Sequence, residues 1–270
     1  MALINKLSAI GDAIRSKTGK SEKLTLDSMV TEIKSITSGG GGGDTPTLEQ
    51  FFNNELTEFR SDTITSIPHD YAFYNDKTIR VVELPNLEHV GKNFVSGTSI
   101  KEINFPNLLR ISNSSFADNC YTLTSCSIPK AKSLEYNKGI DFSDCRSLTS
   151  LDISSMEVIS AGGFNGCKVI PKIELPSVAK IYSYSFSGTF EGCYKLTALI
   201  LRNPAVVVLD TGQNLFKSCP INNGGYNGLE GYIYVPKALI EDYKVATNWT
   251  LYAEKFRAIE DYPDICGEVS

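Results

Sequence analysis

The sequence predicts a repeat solenoid, mainly β with short turns and helices, preceded by a small α-helical N-terminal module. Three observations carry this. Phenylalanine recurs at Phe73, Phe94, Phe116, Phe142, Phe164, Phe190 and Phe216, in steps of 21, 22, 26, 22, 26 and 26 residues. Most steps contain a short apolar segment closed by proline: Leu84-Pro85, Phe105-Pro106, Ile128-Pro129, Leu175-Pro176. Five consecutive glycines, Gly39 to Gly43, divide this array from a segment with helical spacing. A period of roughly 20 to 30 residues marks stacked coils, none of which buries its apolar face alone.

The first element, residues 1–36, reads as two short helices. Leu3, Leu7, Ile10 and Ile14 form a stripe of helical spacing, and Gly19 suits the stop after the basic last turn. Thr25 can cap a second helix whose one face holds Leu26, Met29, Val30, Ile33 and Ile36. Both are too short to be stable alone in water. Either the two stripes pack on each other, or they bury against other copies of the chain or another protein. Residues 37–46 follow as a linker, because a glycine run packs no side chain and favours many backbone states. Over Thr37 to Leu48 its r.m.s. span is about 17 to 21 Å. Such a tether separates an attachment module, with Leu3, Leu7, Ile10 and Ile14 as its contacts, from a working module.

Residues 47–259 form that working module. Thr47 to Phe59, with Leu48, Phe51, Phe52, Leu56 and Phe59, is expected as an N-terminal lid. In each coil the segment before proline is a strand whose alternate residues face the core, and proline ends it by removing a ladder donor. An IxxI-type segment, a polar run and the column phenylalanine make the return side. Length varies mostly between IxxI and Phe, which marks the tolerant outer side. Cys145, Cys167, Cys193 and Cys219 lie three residues after the column Phe, and Cys120 four after, with Asp76 and Gly97 in that place in the first two coils. This reads as a ladder of small buried free thiols, since side chains of one column point the same way. Cys126 replaces a core leucine. Lys237 to Ile259 reads as a helix closing the last coil, and residues 260–270, with Cys266, as a frayed tail.

Composition excludes several functions. Among 270 residues, 26 are Lys or Arg and 31 are Asp or Glu, so the net charge of −5 argues against nucleic acid as partner. No stretch approaches the roughly 18 apolar residues of a membrane span. Asn5, Lys6 and Asp12 interrupt the start where a secretory leader needs an apolar run, so the expectation is folding in the cytosol where the chain is made. His69 and His89 are the only histidines, and no CxxC or CxH pair occurs, so neither a zinc site nor a His-dependent triad has its ligands. No phosphate-loop or dinucleotide motif occurs. No cofactor and no metal are expected.

The repeat texture from Ile64 to Pro236 resembles the BspA-like family of leucine-rich repeats, and Tyr232 to Ile259 resembles the usual ending of such arrays. Departures are the missing prolines after Ile153 and Leu201 and the inserted loop at Asn222 to Gly225, each able to bend or interrupt the solenoid. Leu3 to Ile36 is similar to an N-terminal segment of tail and baseplate-associated proteins of phages and prophages infecting Gram-positive bacteria, which implies an attachment module for tail or baseplate proteins. Together these resemblances imply a non-enzymatic virion tail protein that contacts a host-surface glycan or protein through the solenoid. The alternative is a bacterial cell-surface adhesin of the BspA-like kind. A glycan-cleaving enzyme using Glu102 and Asp152 is the third reading, but repeat position explains both as outward strand residues.

The outward strand positions form two columns, ending in Lys172 and Glu174, Ala198 and Ile200, and Tyr232 and Tyr234. These six are expected as the ligand-binding surface, because exposed Ile200 beside two tyrosines would make an apolar patch suited to sugar ring faces. The outer loop around Asn222 to Asn227 is the alternative place.

Overall fold

The computed structural model describes residues 57–68, 70–112, 116–133 and 139–267. The helical module, the linker, most of the expected lid and His69 lie outside the described residues. Leu3, Leu7, Ile10 and Ile14 therefore have no structural account.

Within the described residues the chain is a solenoid of stacked coils with two parallel strand columns. The first column holds three-residue strands at the apolar segment before proline. They are β1 (Glu58–Arg60), β3 (Val81–Glu83), β5 (Glu102–Asn104), β7 (Ser125–Ser127), β9 (Ser150–Asp152), β11 (Lys172–Glu174) and β13 (Ala198–Ile200), followed by β15 (Tyr232–Val235) and β16 (Phe256–Ala258). The return column holds two-residue strands: β2 (Ser66–Ile67), β4 (His89–Val90), β6 (Arg110–Ile111), β8 (Lys132–Ser133), β10 (Val158–Ile159), β12 (Lys180–Ile181) and β14 (Val208–Leu209). Every pairing is parallel, and register follows the repeat: Glu102 faces Ser125, which faces Ser150. The middle residue of most three-residue strands, such as Val82, Ile103 and Ile173, is buried, while Phe59 and Leu151 are half-buried against the same core.

The phenylalanine column is the axis of the core. Neighbouring rings from Phe73 to Phe216 have centroids 5.3 to 6.4 Å apart. Phe59 extends the stack at one end, 5.4 Å from Phe73, and Tyr252 at the other, 5.0 Å from Phe216. The expected lid therefore contributes a strand and a rung, because β1 pairs with β3 as one more turn of the sheet.

Two residues after the column phenylalanines the backbone turns left-handed, at Asn75, Asp144, Gly166, Gly192 and Ser218, and three after in the coils of Phe94 and Phe116, at Gly97 and Asn119. Asn, Asp and Gly are the residues that tolerate this region. N–H groups here donate along the stack, Gly166 to the Glu191 carbonyl at 2.8 Å and Gly192 to the Lys217 carbonyl at 2.9 Å. The residue after each turn points inward, and this is the cysteine column. Thr98, not Gly97, is thus the equivalent of Cys120, with its hydroxyl 3.5 Å from that thiol. Each thiol donates to a carbonyl one coil earlier, Cys145 to Ala117 at 3.1 Å and Cys167 to Phe142 at 3.2 Å. All seven cysteines are free.

The C-terminal end corrects two expectations. Lys237 to Ile259 is not one helix but a 3₁₀ turn, a short helix α1 (Ile240–Val245), a second 3₁₀ segment (Thr250–Lys255) and strand β16 on the edge of β15. Its polar atoms satisfy the open edge of the last coil. Tyr243 Oη accepts from the Val207 N–H at 3.0 Å, and Trp249 Nε1 donates to the Val207 carbonyl at 2.7 Å. Such partners remove the free donors and acceptors that make an exposed edge a liability. Residues 260–266 are not frayed. A one-turn helix α2 (Pro263–Cys266) folds back over the outer face of β13 and β15 and buries Cys266 with Ala198, Ile200, Tyr234 and Ile259.

The inserted loop does not interrupt the stack. β13 pairs β15 directly across it, Ala198 facing Tyr232. Tyr226 and Leu229 exchange backbone bonds at 2.9 and 3.0 Å around Asn227-Gly228, both at positive φ. That is the mirror-image turn that Asn-Gly favours in hairpins.

Candidate functional site

The six residues expected to bind a ligand do share one ladder, Lys172–Ala198–Tyr232 beside Glu174–Ile200–Tyr234. Their exposure is not as expected. Ala198, Ile200 and Tyr234 are buried, and Tyr232 is half-buried. The cause is the folded-back tail. Arg202 Nε reaches Glu174 Oε1 at 2.5 Å while its Nη2 donates to the Cys266 carbonyl, and Tyr262 packs on Tyr234 at 5.4 Å. Burial pushes the Tyr234 hydroxyl up to about 12. The guanidinium of Arg257 sits 4.1 Å from the centre of the Tyr232 ring. This patch is an internal seam, and its apolar residues are already satisfied.

An open concavity lies instead along the left-handed turns. It is a shallow groove of about 380 Å³ crossing the coils of Phe142, Phe164, Phe190 and Phe216. Its floor is low because two successive coils carry glycine at the turn, Gly166 and Gly192, where flanking coils carry Asp144 and Ser218. One wall is Tyr194, the residue after the cysteine column, 36% exposed. The other is Phe186, 78% exposed, on a bulge inserted into its 26-residue coil and stacked at 5.2 Å on Tyr184. Asn165 Nδ2 holds the bulge through Ser187 Oγ at 2.9 Å. Tyr226 of the hairpin stacks on Tyr194 at 5.3 Å, so the insertion braces the groove wall.

The column that follows the cysteines runs Tyr121, Arg146, Lys168, Tyr194 over four successive coils. Arg146 lies 4.6 Å over the Tyr121 ring and Lys168 5.9 Å over the Tyr194 ring. Charge is nearly balanced: Asp144 pairs with Arg146 at 3.0 Å and Glu191 with Lys217 at 2.8 Å. Among the described residues Lys168 forms no ion pair. Two stacking platforms, one unbalanced ammonium and the Asn165, Ser187 and Ser218 polar groups can hold a ligand with flat rings and hydrogen-bonding substituents. No cluster of His, Cys, Asp or Glu able to hold a metal occurs among the described residues. No described helix is long and apolar enough to cross a membrane.

The model of the BspA type leucine rich repeat region matches six copies, over residues 48–155 and 110–227. The chain belongs to this family. A leucine-rich repeat protein from Bacteroides ovatus is similar over 77% of this chain and 55% of its own, at 20% identity and a TM-score of 0.41. A leucine rich cell surface protein from Faecalibacterium prausnitzii is similar over 82% of this chain and 65% of its own, at 13% identity and a TM-score of 0.29. This BspA-type array thus spans less than two thirds of either chain. A comparison with curated proteins returns no match.

Sequence reasoning about the array missed the groove. The signal was present in the residues after the cysteines, Tyr121, Arg146, Lys168 and Tyr194, but periodicity gives the stretch between the cysteine column and the next strand no role. The Phe186 wall depends on how an insertion folds, which periodicity does not encode.

Proposed function

We propose that this BspA-type solenoid is a non-enzymatic interaction protein of the adhesin kind, working at a bacterial cell surface and contacting its partner through the groove between Phe186 and Tyr194. The observation that carries this is Phe186, a large aromatic 78% exposed at the rim of a concave, polar-lined floor. Large apolar groups left in water beside a groove mark contact surfaces. The repeat family supports an interaction role, since stacked coils offer extended surfaces whose outward residues are free of packing duties.

The reading as a phage tail component, attached to tail or baseplate proteins or to further copies of itself, rests on residues 1–36 alone. Nothing in the solenoid or the comparisons favours it over the cell-surface reading.

The test is binding of labelled full-length protein to intact bacterial and host cells. Replacing Phe186 and Tyr194 by Ser is expected to cut binding at least about tenfold, the scale of one well-placed aromatic contact, with an unchanged melting curve. Binding that survives both changes places the contact elsewhere.

A further inference from the structure

We infer that the groove ligand is a linear acidic glycan lying along the solenoid axis, one ring on Tyr194 with its carboxylate at Lys168 and a second ring on Tyr121. This rests on the groove being the contact surface proposed above, and it names the ligand class.

The first argument is register. Tyr121 and Tyr194 occupy the same position three coils apart, so at the usual strand spacing of about 4.8 Å they stand about 14 Å apart along the axis. Arg146 and Lys168 fill the two coils between them, each lying toward one tyrosine. A polymer of flat rings whose repeat is comparable to one coil meets a platform, two cations and a platform in succession. Tyr121 is 44% and Tyr194 36% exposed, with Lys77 and Arg146 over the Tyr121 ring and Tyr226 and Lys168 over the Tyr194 ring, so the long cations swing aside for a stacking sugar.

The second argument is charge. Asp144 answers Arg146 and Lys217 answers Glu191, which leaves Lys168 as the unbalanced charge lining the groove. An ammonium beside a ring face suits a carboxylate carried on the ring that stacks there.

The third argument separates a glycan from a peptide. A bound peptide strand needs unpaired backbone donors and acceptors. The floor offers no donor at Gly166 and Gly192, whose N–H groups are spent on the next coil. Nor do side-chain pockets line it: the walls are flat rings, and the floor between them is glycine.

The experiment is calorimetric titration of the full chain with a hexagalacturonate, a digalacturonate and the neutral cellohexaose. The hexauronate is expected to bind, with cellohexaose about two- to fivefold weaker, the worth of one partly exposed charge pair. Lys168→Gln should abolish that preference, bringing the hexauronate down to the affinity of cellohexaose. Tyr121→Ala should weaken the hexauronate and leave the diuronate unchanged, since only the longer ligand reaches the second platform. Equal binding of neutral and acidic probes overturns the acidic assignment, and a Tyr121→Ala variant that binds the hexauronate normally overturns the axial placement. If no probe binds while Phe186→Ser still reduces cell binding, the groove remains the contact surface and the glycan inference fails in favour of a protein partner.

Discussion

The rings of Phe164 and Phe190 lie 5.6 Å apart and within 6° of parallel. They come from equivalent positions 26 residues apart and are both fully buried, so each is the packing surface of the other. Replacing Phe164 by Ala removes a rung and leaves a cavity in the middle of the array. The expected cost is about 3 to 5 kcal/mol by chemical denaturation. Because each coil contacts only its neighbours, the transition should also broaden or split. A loss under about 1 kcal/mol would show that the ring is not a core rung.

Below the phenylalanines the thiols are held protonated. Burial pushes Cys219 up to about 12, and raises Cys145, Cys167 and Cys193 as well. Since the neutral form is favoured in the fold, this contribution to stability is complete below the ordinary thiol value near 9. It is lost as pH rises through the folded values. Denaturation midpoints should therefore fall between about pH 9 and 12. At neutral pH a thiol reagent should leave Cys120, Cys145, Cys167, Cys193 and Cys219 unmodified until the chain unfolds.

Asp141 behaves in the same sense at lower pH. Burial first, with Asp118 adding repulsion, raises its carboxyl to about 6, against the bond it accepts from the Ser143 N–H at 2.7 Å. The native state then takes up a proton that the unfolded chain does not hold at pH 5. The contribution is fully present below about pH 4 and lost as pH rises through 6. Asp141→Asn should raise stability by about 1 to 3 kcal/mol at pH 7.5 and have no such effect at pH 4. An equal effect at both values would refute the assignment.

Arg202 pins the C-terminal seam through Glu174 and the Cys266 carbonyl. Arg202→Ala leaves that carbonyl and the carboxylate without their donor, at a cost of about 1 to 3 kcal/mol. The readout specific to the seam is Cys266, which is 3% exposed in the native chain. Its thiol should become reactive in the variant under native conditions while the column cysteines stay protected. Unchanged protection of Cys266 would mean that the tail is held without Arg202.

The array was legible because its core repeats one set of residues every 21 to 26 positions. One phenylalanine and one strand of each column return coil after coil, with a thiol in five of seven, and the strand registers follow, as in Lys172 facing Ala198 facing Tyr232. What periodicity encodes is direction, not cover. Ile200 and Tyr234 do point outward, but the four-residue helix Pro263–Cys266 lies over them. That helix is too short to show a hydrophobic period and begins at a proline, so it reads as the end of order. The groove was hidden for a related reason. Its floor is a pair of glycines that make the same left-handed turn as Asn75 and Asp144, and its far wall stands on an insertion whose fold the period does not encode.

The most direct test of where the BspA-type solenoid makes contact is hydroxyl-radical footprinting of the full chain, free and bound to the cells it adheres to. Phe186, Tyr194 and Tyr226 are expected to be protected on binding, with Tyr121 following if the ligand runs along the axis. Tyr74 and Val245, 42% and 78% exposed but placed away from the groove, should oxidise at their free rates. Protection at Tyr74 and Val245 with none at Phe186 and Tyr194 would contradict the account.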